Sequence, residues 1–282
     1  MNIISRIQKK TQIFTLSQKQ LADYIIHNSE TAAFMSINEL AKATNISEAT
    51  IFRFTQALEY DGYQDFIKQL RAEIQNRLSA GSLFDLELQD EQTANQTVFS
   101  QTIHQEISNL GALQNLDYSN IEDFINQLAK AQNILVIGLM ASGSIAHYYA
   151  SQLSRIFPHV RLITATDIFS SSALSDINKN SVVINLAFPR YPLNIQNFAR
   201  TAKEKGGFCI TVTNSHQSPT VEYADIAFVV QRNRDRWLDS FAAPMVLLHA
   251  VLAEFGKQYP DRIRQALKEY DNYVKEFDLF SQ

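Results

Sequence analysis

The sequence predicts an α/β protein in two parts. An N-terminal all-helical domain of helix-turn-helix type precedes a C-terminal doubly wound domain with a mostly parallel sheet. Three observations predict this. Residues up to about 80 carry helical periodicity and helix caps, with no strand-like run. From residue 133 onward, short β-branched apolar runs alternate with helical segments, the pattern of a parallel sheet covered on both faces. With 282 residues, 45% of them apolar, the chain can fill two cores.

LSQKQLADYIIHN, residues 16–28, places Leu21, Tyr24, Ile25 and Asn28 at helical spacing, with Ser17 as its N-cap. SINELAKATNISEATIFRFTQALEYDGYQDFIKQLRAEIQNRL supplies three further helices. Ser36 with Glu39 fits a capping box, and Asp61-Gly62 marks a turn before the last helix. Residues 79–105 are polar and mixed; the first half reads as a linker, the second as the start of a helix running to about Leu116. SNIEDFINQLAKA, residues 119–131, is another helix, with Ser119 and Glu122 as a second capping box. The strand candidates are NILVIG (133–138), HVRLIT (159–164), SVVINLAF (181–188), FCITVT (208–213) and IAFVV (226–230). Residues 241–277 return to helix. The expected boundaries are a helical helix-turn-helix domain at 1–80, a linker and helix start at 81–105, and a strand-and-helix domain at 106–282.

Composition narrows the class. Cys209 is the single cysteine, which excludes an internal disulfide and a cysteine-based zinc site. The start MNIISRIQKKTQIF is too polar for a signal peptide, and PMVLLHAVLAEF is too short to span a membrane. The expectation is a reduced, soluble, cytoplasmic protein with no membrane partner. The net charge is −4, yet residues 1–80 hold nine basic and eight acidic side chains, leaving 16 basic and 21 acidic in the remainder. Local placement of cations, not net charge, governs binding to a polyanion.

ISEATIFRF, residues 46–54, has the spacing of a reading helix. A helix-turn-helix needs a small residue in its first helix, a tight turn, and a second helix with one buried and one free face. Ala41 is the small residue, and Asn45 tolerates the left-handed turn. Ile46 plugs the core, and Ser47 caps the second helix with its amides aimed at a phosphate. Ile51, Phe54 and Leu58 share the buried face; Glu48, Ala49, Thr50 and Arg53 point elsewhere. Arg53 suits a guanine edge or a phosphate, and Ala49 and Thr50 suit a thymine methyl or a phosphate. Arg6, Lys9, Lys10, Lys42 and Lys68 are candidate phosphate contacts. The same spacing also fits an ordinary helical bundle.

This stretch resembles the N-terminal domain of the RpiR/MurR family of bacterial transcription regulators. The resemblance rests on SINELA, on SEATIFRF and on GYQDF. Phe52 departs from the family pattern, where a small residue is common; it either meets a thymine methyl or packs inward. The family joins this domain to a sugar isomerase (SIS) domain, which implies operator DNA and a small effector as partners.

ILVIGLMASGSIAHYYASQLSRI, residues 134–156, reads as strand, loop and helix, with Ser142, Gly143 and Ser144 at the helix start. Free amides, a positive helix end and two hydroxyls make an anion site, although a simple helix cap fits as well. The glycine pattern is not that of a dinucleotide fold, because Met140 occupies the second glycine position. GLMASGSIA resembles the first SIS motif, which implies that Ser142 holds phosphate. VTNSHQSPTVEYADIAFVV resembles the closing SIS run at Thr213, Asn214, Ser218, Pro219, Ala224 and Asp225, bringing Thr213 and Asn214 to the effector.

The second phosphate motif departs from the family. Ala187, Pro189 and Pro192 stand where three hydroxyls belong. Two prolines rigidify the loop and remove amide donors. Arg190 is a candidate substitute, since a guanidinium grips an anion bidentately, and Tyr191 can stack on a sugar or donate a hydroxyl. Both residues equally fit a solvent-facing or subunit-facing loop.

His147 stands alone, without a Glu–His pair or metal spacing, and Glu222 and Asp225 fit a solvated position as well as a functional one. The sequence therefore predicts no catalytic residue, no metal and no cofactor. It predicts a regulator that binds operator DNA and an anionic metabolite of the sugar phosphate kind, as a homodimer or tetramer. A sugar phosphate isomerase and a SIS-fold interaction protein without a ligand are the competing classes.

Overall fold

A computed structural model describes residues 3–77, 79, 81–82, 84–85, 97–189, 191–231 and 237–277. The chain divides into two compact units, residues 1–92 with 235–238, and residues 93–234 with 239–282.

The first unit is helical. Its elements are α1 (Ile3–Lys10), α2 (Leu16–His27), a short α3 (Ser29–Ala32), α4 (Ile37–Thr44), α5 (Glu48–Ala57) and α6 (Tyr63–Arg77). Leu21, Ile25, Leu40, Ile51, Phe54, Leu58 and Leu70 are each fully buried at its centre. Phe54 is the hub: its ring lies 5.1 Å from that of Phe14 and 6.3 Å from that of Phe66. The Ser36–Glu39 capping box is present at the start of α4. The cap of α2 differs from expectation. Thr15, not Ser17, is the N-cap, and its side chain and that of Gln18 bond each other's backbone amides. Ser17 already lies inside the first turn.

The second unit is a three-layer α/β arrangement. Its elements run α7 (Val98–Ala112), α8 (Tyr118–Lys130), β1 (Asn133–Gly138), α9 (Ser142–Ser154), β2 (Val160–Ile163), α10 (Ile168–Ser175), β3 (Ser181–Leu186), α11 (Leu193–Glu204), β4 (Phe208–Thr213), β5 (Ile226–Val229), α12 (Ala242–Gln258) and α13 (Pro260–Glu276). The five strands lie in the order β2-β1-β3-β4-β5, and every pairing is parallel. Asp117, not Ser119, caps α8, accepting from the Ser119 amide at 2.9 Å. Aspartate two residues upstream satisfies the first free amides, so no Ser119–Glu122 box is needed.

The even-numbered strand residues face one layer. Ile134, Val136, Val182, Ile184, Leu186, Ile210 and Val212 bury themselves against α8, α9 and α12. The opposite face carries Leu135, Ile137, Val183 and Cys209, but also the polar side chains Asn185, Thr211 and Thr213, all buried. Strand order reverses beside β1, since β2 lies on one side of it and β3 on the other. Ligands of open α/β sheets bind in the crevice at such a switch point, beyond the carboxyl ends of the strands.

Candidate functional site

The reading helix α5 is built as its residue types require. Asn45 ends α4 in the left-handed conformation, with φ of 53°, and its amide and that of Ile46 close onto α4 carbonyls. The Ser47 side chain accepts from the Thr50 amide at 3.3 Å and lies 2.9 Å from the Thr50 hydroxyl. Ile46, Ile51, Phe54 and Leu58 are buried. Ser47, Glu48, Ala49, Arg53 and, on other helices, Lys42 and Lys68 are exposed, while Thr50 is half-buried. The Arg53 Nε donates to the Ala49 carbonyl at 3.1 Å, which holds the side chain along the helix and keeps the guanidinium on the surface.

The second site lies at the carboxyl end of the sheet. Gly138 at the end of β1 pairs with Leu186 at the end of β3, and Leu186 pairs with Val212 of β4. The loops after these strands therefore leave the sheet side by side. They carry Ser142–Ser144, residues 187–192, and Asn214. Gly138 is required here: a Cβ would sit 2.5 Å from the Ser142 carbonyl and 2.7 Å from the Ala146 Cβ. Met140 takes a left-handed φ of 56° and is 83% exposed. A left-handed methionine at the tip of the turn is backbone strain of the kind stored at ligand loops.

The start of α9 differs from the expected anion cradle. The Gly143 amide donates to the Met140 carbonyl and the Ser144 amide to the Ala141 carbonyl, at 3.0 and 3.2 Å. The Ser144 hydroxyl donates to the Ala141 carbonyl at 2.8 Å. A tight turn thus uses three donors that were expected to be free. Ser142 itself is buried at the start of the helix. No side chain caps α9.

Comparisons with known proteins bear on both units. The family model for the helix-turn-helix domain, rpiR family, matches residues 1–77, and that for the SIS domain matches residues 127–254. The two matches give the chain the domain composition of an rpiR-family regulator, a helix-turn-helix domain followed by a SIS domain. An HTH-type transcriptional regulator of Haemophilus influenzae is 25% identical over 231 residues, covering 81% of this chain and 79% of that protein. The regulator HexR of Escherichia coli is 23% identical over 282 residues and 95% of both chains. The structure of Vibrio vulnificus NanR, complexed with ManNAc-6P, aligns over 100% of both chains with a TM-score of 0.70 at 19% identity, a likeness of fold. The chain is a DNA-binding transcription regulator with a SIS domain, and not an enzyme.

Several cations of the regulator have structural work. Lys10 donates to the Ala57 carbonyl at 2.8 Å and pairs with Glu59 at 2.7 Å. The Arg6 Nη1 donates to the Leu58 carbonyl at 3.1 Å, and its guanidinium stacks 5.0 Å over the Tyr60 ring. These two candidate phosphate contacts instead bind the carboxyl end of the reading helix, where the helix dipole favours cations. Lys9 stays exposed. Phe52 is 45% exposed and lies over Gly62, where a Cβ would meet its ring at 3.1 Å. It packs along the turn rather than into the core.

At the sheet end, Tyr191 is buried and donates its hydroxyl to the Asn214 Oδ1 at 2.9 Å. It does not face solvent. Arg190 lies outside the described residues. Thr213 is buried with its hydroxyl unpartnered, and Asn185 is buried with both amide atoms unpartnered. Sequence reasoning missed Asn185; its one signal was a lone amide within the apolar run SVVINLAF. Asp225 is also not simply solvated. It accepts from the Cys209 amide at 2.8 Å and pairs with Lys203, tying β4 to α11. Burial pushes the Cys209 thiol up to about 12, so it stays protonated and unreactive. His147 is exposed on α9, and among the described residues no group of three metal-ligating side chains forms.

Proposed function

We propose that this regulator reads operator DNA with α5 and changes its DNA affinity when a small anionic carbohydrate derivative binds at the carboxyl end of the sheet. The DNA contacts are Ser47, Glu48, Ala49, Thr50 and Arg53, with Lys42 and Lys68 on phosphates. The effector contacts are Ser142, Gly143, Ser144, Arg190, Tyr191, Thr213 and Asn214, with Asn185 beneath them. The DNA-binding part spans 1–80, the linker and helix start 81–105, and the effector-binding part 106–282. It works in the cytoplasm as a homodimer or tetramer, since a symmetric pair of reading helices on two half-sites supplies useful specificity.

The observation that carries the effector reading is the set of buried polar groups at the switch point. Asn185 and Thr213 leave amide and hydroxyl atoms without partners among the described residues at the carboxyl ends of β3 and β4, and Ser142 lies buried at the start of α9. Each such group costs about 1–3 kcal/mol unless something bonds it. The bound sugar phosphate of NanR adds support, because that protein shares this fold. No helix among the described residues is long and apolar enough to cross a membrane.

The anion meets the Ser142 hydroxyl and the positive end of α9, and Arg190 supplies the charge that Ala187, Pro189 and Pro192 cannot. A sugar phosphate panel that includes ManNAc-6P, read by thermal unfolding, tests this. A true effector at 100 times its Kd stabilises by ~2.7 kcal/mol. Arg190→Ala should abolish that gain and leave effector-free DNA binding intact, and Arg190→Lys should rescue poorly, because a point charge lacks the planar fork. A panel without any stabilising compound contradicts the reading.

A further inference from the structure

The sheet unit holds a cavity of about 240 Å³ between α9, α12 and α13. Its walls are mostly apolar, lined by Ile156, Leu252, Ile263 and Leu267. It lies at the far end of α9 from the effector crevice. The 13 residues of that helix put about 20 Å between Ser142 and Arg155, so the two sites are separate. A dry cavity of about 150 Å³ lined by Leu, Ile and Phe takes benzene, so this one has room for roughly ten non-hydrogen atoms.

Gly256 lines the cavity from within a 17-residue helix. Glycine is the poorest helix former after proline, and packing does not require it here. A Cβ at 256 would meet only the Ile263 Cγ1, at 3.8 Å. What the glycine provides is bare backbone in the cavity wall, where a flat group can lie close.

The charge of the cavity has one sign. No Asp or Glu lines it, whereas Arg155 does and is exposed. Both described partners of Arg155 are uncharged: its Nη1 donates to the Gln152 Oε1 at 3.4 Å, and its guanidinium lies 5.0 Å over the Tyr270 ring. Stacking holds the planar fork in place and leaves its charge for an anion. Tyr149 also lines the cavity, and its buried hydroxyl has no partner among the described residues. Burial pushes that phenol up from its ordinary value, so it remains a donor.

We propose that this cavity binds a small aromatic carboxylate, its ring against Gly256 between the three helices and its carboxylate on Arg155. The site is independent of the effector reading. Apolar walls with one oriented cation suit a ligand that is apolar at one end and anionic at the other.

Calorimetric titration of the full chain with benzoate, phenylacetate and 4-hydroxybenzoate tests the proposal, with benzyl alcohol as the uncharged control. At least one of the acids should bind saturably, and more tightly than the alcohol. Gly256→Leu favours the helix and fills the cavity, so it should abolish binding of acid and alcohol alike while thermal unfolding shows a folded protein. Arg155→Ala alters an exposed side chain and should leave the fold intact. It should weaken the acids at least tenfold and leave the alcohol unchanged, a split that a merely structural role would not produce. No saturable binding of any acid at millimolar concentration overturns the proposal. So does binding that survives in a folded Gly256→Leu protein, or that is lost in Arg190→Ala, which would place the acid in the effector crevice instead.

Discussion

The two candidate sites are opposites in how they treat polar groups. Around α5 most polar groups are closed by the chain itself: Ser47 takes the Thr50 amide, Arg53 takes the Ala49 carbonyl, and Lys10 and Arg6 take the last carbonyls, with the buried Arg6 Nε alone of these left without a partner among the described residues. At the sheet end, Asn185 and Thr213 are buried with polar atoms that none of the described residues satisfies. The difference teaches how each site works. A DNA-reading surface is a finished scaffold that displays side chains to a large, rigid partner. A small-molecule site completes its hydrogen bonds only when the ligand arrives.

The largest way to break the comparison is at the scaffold. Phe54→Ala removes the ring at the centre of the helical core and should cost about 3–5 kcal/mol. Calorimetry should show the helical unit melting early while effector-induced stabilisation of the sheet unit persists. Loss of both together would show that the two sites are not built independently.

The next effect sharpens the other side. Asn185→Leu removes two unpartnered buried polar atoms. Effector-free stability should hold or rise by ~1 kcal/mol. The ~2.7 kcal/mol gained at 100 times the effector's Kd should fall to nearly nothing. Undiminished effector stabilisation would remove Asn185 from the site.

Gly138→Ala is intermediate. Its Cβ would press on the Ser142 carbonyl at 2.5 Å, and overpacking of this kind costs about 1–3 kcal/mol. Urea unfolding should report that loss, and effector affinity should fall with it because Ser142 is displaced. A change in stability with unaltered affinity would detach Ser142 from the ligand.

The smallest effect is a pH dependence. The Lys10 ammonium beside Glu59 holds that carboxyl below the usual range. A depressed carboxylate adds stability that is present above its unfolded pKa and lost as pH falls through its folded one. Glu59→Gln should therefore flatten the acid side of the stability profile slightly, with no effect near neutrality beyond a small drop. An unchanged acid limb would show that Lys10 serves only the Ala57 carbonyl.

Much of the architecture was legible because it depends on local pattern. NILVIG and FCITVT matched their strands at both ends, since β-branched runs bounded by polar residues have little other choice. Asn45 and Ser47 were legible because a left-handed turn and a helix cap each admit few residue types. What failed depended on position within a turn or on distant approach. Ser17 and Ser119 lost their capping roles to Thr15 and Asp117, each two residues earlier. Arg6 and Lys10 looked like free cations because nothing local reveals that α1 lies beside the end of α5. Asn185 read as one polar residue in a strand; only the register of β3 against β4 puts it on the same buried face as Thr213.

The most direct test selects binding sites from random duplex DNA with the full chain and measures affinity for the winner by fluorescence anisotropy at fixed salt. Wild type should enrich a two-fold symmetric sequence. Arg53→Ala should lose about 1–3 kcal/mol and its preference at one base pair of each half-site. Lys42→Ala should weaken every sequence alike, with a shallower salt dependence. Unchanged affinity and unchanged base preference in Arg53→Ala would contradict the claim that α5 reads DNA.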